Sequence, residues 1–160
     1  MNAHGTTDTS AWSVIFGVVM FIALWTLEAS IMRRRKKAMS EMALRLGLEA
    51  WPDDDTPRGL SLHGTVFQSW SRLFNVYEGF LNGKQVAVFD FRKKGRKSSW
   101  SRTIIAVKTT HDIFQDKPFR LEAKQVGAWQ LLYSPPGFLL HENLMHVAEV
   151  EELLKGIGRA

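Results

Sequence analysis

Phe74 to Phe91, FNVYEGFLNGKQVAVFDF, reads as two strands joined by Asn82-Gly83. Asparagine and glycine tolerate the positive φ that both central residues of a type I′ turn require, and that turn matches the twist of antiparallel strands. Residues 74–81 and 84–91 are therefore expected to form a β-hairpin. Along the second strand one face carries Val86, Val88 and Asp90, and the other Ala87, Phe89 and Phe91. Both faces are largely apolar, so the strand is expected to be covered on two sides, by a second sheet layer, a barrel interior or a helix.

Downstream, Arg92-Lys93-Lys94-Gly95-Arg96-Lys97-Ser98-Ser99 forms a basic hairpin tip leading into Trp100–Thr109, WSRTIIAVKT. Phe119–Val126 and Ala128–Tyr133 supply two more strand candidates, the second ended by Ser134-Pro135-Pro136-Gly137. In Asn143–Ile157, Leu144, Val147, Val150, Leu153 and Leu154 recur at helical spacing, which predicts a C-terminal helix docking on the sheet. Upstream, Ala38–Trp51 has a passable helical pattern that Gly47 and Pro52 bring to an end. Trp51–Gly59, with Asp53, Asp54 and Asp55 between two prolines, has the composition of a surface loop and is read as a linker. The three aspartates lack the spacing of a calcium loop.

Further upstream, Ala11–Leu27, AWSVIFGVVMFIALWTL, is 17 residues without a charge. Continued through Met32 it reaches 22 residues, about 33 Å of helix, which matches a hydrocarbon core of about 30 Å. Trp12 and Trp25 lie near its ends, where indole suits the headgroup level. A cleavable signal peptide would need a basic n-region and a small-residue cleavage site, and the sequence shows neither. A buried core helix or an interfacial helix would need a polar face, which this stretch lacks. Arg33, Arg34, Arg35, Lys36 and Lys37 follow at once, while only Asp8 is charged on the other side. The positive-inside bias then predicts an outside N-terminus and a cytoplasmic remainder. Those five cations serve as topology signal and headgroup contact.

The expected organisation is an extracytoplasmic tail (1–10), a transmembrane helix (11–32), a basic stop with a juxtamembrane helix (33–50), a linker (51–59) and a cytoplasmic domain (60–160). Its class is α+β: a transmembrane helix, a small antiparallel β domain of about five strands and a C-terminal helix. Zero cysteines in 160 residues exclude disulfides, thiolate catalysis and cysteine-held metals, and nothing points to an oxidising compartment.

The chain carries 21 Lys+Arg against 16 Asp+Glu, a formal +5. Five of the cations lie in 33–37 and six in 92–102 (Arg92, Lys93, Lys94, Arg96, Lys97, Arg102), which leaves the other residues at −6. Basicity is local, and Arg92, Lys93, Lys94, Arg96 and Lys97 with Trp100 are the candidate contacts for anionic lipid headgroups or an acidic protein partner. No nucleic-acid module is recognisable, so nucleic acid is not an expected partner. The alternative for the tip is a solvated turn that keeps sheet edges soluble.

No catalytic residues, metal site or cofactor are assigned. His141-Glu142 and His146 fail the H-E-x-x-H spacing, since histidines five apart diverge by about 140° on a helix. Phosphate-binding loops and nucleophile elbows are absent. A hydrolase would need His63, His111 and Asp90 to converge in one cleft. A structural subunit of an envelope complex would instead show an exposed apolar patch. Ser13-x-x-x-Gly17 offers a small-residue approach for a second helix, with a lipid-facing anchor as the plainer alternative.

The order of a span, a basic stop, a helix ending R-L-G-L, the hairpin N-V-Y-E-G-F-L-N-G-K-Q-V-A-V-F-D-F and a later W-Q-L-L-Y with a terminal helix resembles a group of uncharacterised bacterial membrane-anchored proteins. The resemblance covers about residues 11–154 and rests on the hairpin Asn82–Phe91, where Phe91 replaces the expected tyrosine. It implies a cytoplasmic antiparallel sheet domain on the inner membrane and brings no catalytic residues. Together these readings make a non-enzymatic protein, binding a partner or the anionic surface, the expected function.

Overall fold

The computed structural model describes residues 9–63, 65, 67, 71–94, 99–114, 120–134 and 144–157. Its elements are α1 (Thr9–Leu46), β1 (Glu49–Ala50), β2 (Ser71–Leu81), β3 (Lys84–Lys94), β4 (Ser99–Lys108), β5 (Glu122–Val126), β6 (Trp129–Tyr133) and α2 (Val147–Ile157). The class is α+β, with one six-stranded antiparallel sheet in the order β1-β2-β3-β4-β6-β5. The sixth strand is β1, two residues that pair with Glu78 and Tyr77. A pattern so short cannot be recognised from alternation.

The chain divides after Lys37 into two units. In the first, α1 holds a segment long and apolar enough to cross a membrane, with none of it buried. Trp12, Phe16, Phe21 and Trp25 are each at least two-thirds or nearly so exposed, at 73, 66, 70 and 68%. Such a surface needs lipid or a partner to cover it, which makes this helix a candidate membrane anchor. Helical geometry continues through the five cations without a break.

The second unit begins at Ala38, so the folded unit starts well before residue 60. Met39, Met42 and Ala43 on the last turns of α1 are at most 1% exposed and belong to the core. Gly47, at φ +69°, then closes the helix. Its N–H donates to Leu44 O at 3.3 Å and the Leu48 N–H to Ala43 O at 2.8 Å, the double closure of a Schellman motif. Leu48, the residue after the glycine, is buried, as that motif favours.

The stretch 51–59 is bonded to the sheet along the edge of β2. Trp51 N–H donates to Val76 O (2.8 Å) and Asp54 N–H to Leu73 O (2.9 Å). The Asp53 carboxylate accepts from Asn75 N–H (3.1 Å) and that of Asp54 from Leu73 N–H (3.2 Å). Two of the three aspartates thus satisfy edge donors that a free strand would present to another chain. They act at a bulge between Phe74 and Tyr77, where Asn75 takes φ +52°.

Asn82 and Gly83 adopt φ +49° and +78°, as a type I′ turn requires. The expectation that β3 is covered twice holds. On one face Val86, Val88, Ile105, Val107 and Leu132 pack with Met39, Met42, Val150, Leu154 and Ile157 from the two helices. On the other, Ala87, Phe89, Phe91, Ile104 and Leu131 pack under Leu60, Leu62 and Phe67. The second cover is therefore a loop, pinned where the Trp129 indole N–H donates to Gly59 O at 2.9 Å.

Candidate anion-binding end of the β3–β4 hairpin

Register sorts the basic residues. Across β3 and β4 the pairs are Phe91↔Arg102, Arg92↔Ser101, Lys93↔Trp100 and Lys94↔Ser99. Because side chains alternate, Arg92 and Ser101 share the helix-covered face with Asp90 and Thr103, whereas Lys93, Trp100 and Arg102 share the loop-covered face with Phe91. What reads as one basic tip is thus divided by the sheet. Lys94 belongs to β3 through its backbone, while Arg96 and Lys97 lie outside the described residues.

On the helix-covered face, Arg92 Nε–H donates to Ser101 Oγ at 3.2 Å, and its guanidinium lies 5.9 Å from the Phe74 ring centroid. Deeper on the same face, the fully buried Asp90 accepts from Asn75 Nδ2–H at 2.8 Å and Thr103 Oγ–H at 2.9 Å. Thr103 Oγ in turn accepts from Met145 N–H at 3.1 Å. Asp90 is thereby a structural junction fixing the approach to α2.

The loop-covered face is aromatic. Phe67 meets Phe91 edge-on at 5.0 Å and Tyr133 at 5.1 Å, and Phe91 lies 5.3 Å from Trp100. Against this cluster the Lys93 ammonium stands 5.9 Å from the Trp100 centroid and the Arg102 guanidinium 4.2 Å from it, with Tyr133 at 5.7 Å. Arg102 is only 5% exposed, and its Nε is buried without a hydrogen-bond partner. Burial lowers the Arg102 pKa, opposed by the charges of Glu122 and Tyr133. Burial likewise raises that of Tyr133, as do the charge of Glu122 and the hydrogen bond to it.

Arg102 has no binding role in the sequence reading, where it counts only as a sixth cation. The available signal was alternation: Trp100, Arg102, Ile104 and Ala106 fall on one face of β4. An arginine in register with buried apolar residues is more informative than one on a turn.

The hydrolytic set is not assembled. His63 is exposed and follows Leu62, which covers the loop side of the sheet, whereas Asp90 is enclosed on the helix side. His111 is exposed in a turn, where its N–H donates to Thr109 Oγ at 3.1 Å. His146 is exposed, and His141 and Glu142 lie outside the described residues. Among the described residues no three acidic or histidine side chains gather as a metal site. An open cleft lined by Thr110, Asp112, Ala123, Gln125, Gly127 and Gln130 has its amides engaged. Gln125 Nε2–H donates to Thr109 O and Gly127 O, and Gln130 Nε2–H to Asp112. The exposed large apolar side chains described in the second unit are Leu44 and Phe80.

Comparison with known proteins finds no matching family model, curated protein or solved structure.

Proposed function

We propose that the chain is a single-pass protein of the bacterial inner membrane, N-terminus outside, whose cytoplasmic sheet domain binds the anionic membrane surface through the β3–β4 hairpin. The observation that carries this reading is the hairpin end itself, where Lys93 and Arg102 lie against the Trp100 indole and Arg92 stands on the opposite face. Cations beside an amphipathic ring suit a headgroup layer. Arg33, Arg34, Arg35, Lys36 and Lys37, consecutive after the apolar segment, support both the orientation and proximity to anionic lipid. Attraction of about 1 kcal/mol per basic residue near such a leaflet makes the contact reversible and salt-sensitive.

The chain has no cysteine, so Ser99→Cys accepts an environment-sensitive dye without background. The full chain in nanodiscs should show a blue-shifted emission with 30% anionic lipid at low salt, reversed at moderate salt and absent in neutral discs. Changing Arg92, Lys93, Lys94, Arg96 and Lys97 to Gln should remove the shift. Equal emission in neutral and anionic discs would refute the membrane contact and move the search to protein partners by crosslinking.

A further inference from the structure

Arg102 is the most demanding charge described in the second unit. A guanidinium at 5% exposure has given up most of its hydration, and its Nε finds no acceptor. Among the described residues no carboxylate forms an ion pair with it. Glu122 acts on it only through space. The contact with the Trp100 face returns only part of what burial costs.

A second cation, Lys93, sits across from Trp100 in the register and lies against the same ring. Two like charges held beside one indole repel each other, and a group bearing two negative charges would relieve both deficits. A guanidinium presents a planar fork of N–H donors suited to two oxygens of one tetrahedral oxyanion. Trp100 and Lys93 are half-buried and are the walls able to shift as such a group enters.

We infer that Arg102 and Lys93, beside the Trp100 indole, form a seat for a phosphate group, with a phosphomonoester dianion as the favoured ligand. This deepens the proposed function, and rests on it for the expectation that a lipid headgroup supplies the phosphate. A free phosphate compound carries the same chemistry, so the test has an arm for each source.

The full chain in neutral maltoside micelles is titrated with inorganic phosphate and glycerol 3-phosphate at constant ionic strength. Readouts are the thermal midpoint and the fluorescence that disappears in Trp100→Phe. In parallel, nanodiscs of equal charge carry phosphatidic acid or phosphatidylglycerol. A rise in midpoint with a Trp100 response is expected, and Arg102→Lys, which keeps the charge and loses the fork, should weaken apparent binding about tenfold. Lys93→Gln should weaken it as well, and at its half-buried position carries the test alone if Arg102→Lys fails to fold.

A response to soluble phosphates supports the seat with a free ligand, and a response confined to phosphatidic acid discs supports it with a lipid. No response to any phosphate probe, a response unchanged in both variants, or equal responses to the two lipids with none in micelles would overturn it. If the dye on residue 99 reports no anionic-disc contact while the phosphate response persists, the membrane reading fails and the seat stands. The reverse pattern removes the seat alone.

Discussion

Cutting the chain at residue 51 removes more than a tether. Met39 and Met42 are fully buried, Ala43 is 1% exposed and Leu48 is 7% exposed, all in the cluster that fills the helix-covered face of the sheet. Truncating a buried methionine or leucine to alanine costs about 2–5 kcal/mol. Losing Met39, Met42 and Leu48 together therefore approaches the whole stability of a unit this size, about 6–18 kcal/mol at ordinary values per residue. The fragment 38–160 should unfold in urea cooperatively, with near-ultraviolet circular dichroism from its packed aromatics. The fragment 51–160 should lack that signal and show no cooperative transition. Met42→Ala within 38–160 isolates one contact, and a loss of about 2–5 kcal/mol at a slope of about 1–3 kcal/mol/M lowers the midpoint by roughly 0.7–5 M. Coincident midpoints for the two fragments would refute the placement of the α1 C-terminal turns in the core.

Two further outcomes follow from the polar contacts. Asp90→Ala leaves Asn75 Nδ2 and Thr103 Oγ each without the carboxylate acceptor, so at about 1–3 kcal/mol per stranded buried group urea unfolding of 38–160 should shift by several kcal/mol; an unchanged midpoint would show that Asp90 is no junction. Glu151 is held by Arg45 (2.6 Å) and Lys155 (2.8 Å), which bring its carboxyl from an ordinary 4.5 down to about 2. A carboxyl with a depressed folded-state pKa contributes stability that is complete above its unfolded value and is lost as pH falls through the folded one. The thermal midpoint of Glu151→Gln should thus lie a few degrees below wild type at pH 6, the gap closing between about pH 4.5 and 2 and shrinking with salt; a gap independent of pH would contradict the ion pairs.

What was legible in the sequence was whatever depends on near neighbours. Asn82-Gly83 dictates its own turn, the apolar run through Leu27 needs no partner to declare itself, and Val147, Val150 and Leu154 mark one face of a short helix. The expectation of two covers for β3 also follows from local alternation. Local pattern says least about groups whose partners are distant in the chain. Trp51–Gly59 has a linker's composition, yet Asp53 and Asp54 find their donors at Asn75 and Leu73, 22 and 19 residues away. The methionines of Ala38–Leu46 carry a helical pattern, but nothing local says that a sheet will receive them.

The candidate site shows the same division and adds a physical reason for where it lies. From Ala106 to Ile104 to Arg102 to Trp100, the loop-covered face of β4 passes from wholly buried apolar side chains, through a buried cation, to a half-buried indole. A sheet whose strands outrun their covering layers has such a margin, where backbone pairing persists while the apolar cover thins. Pairing holds the side chains in register there, and the low polarity behind them strengthens their electrostatics relative to a solvated turn. Counting cations in 92–102 gives all six the same weight. Period-two alternation separates them, because it assigns Arg92 to one face and Lys93 with Arg102 to the other. The proposed phosphate seat accordingly draws on the paired part of the hairpin, where register and burial act on the same side chains.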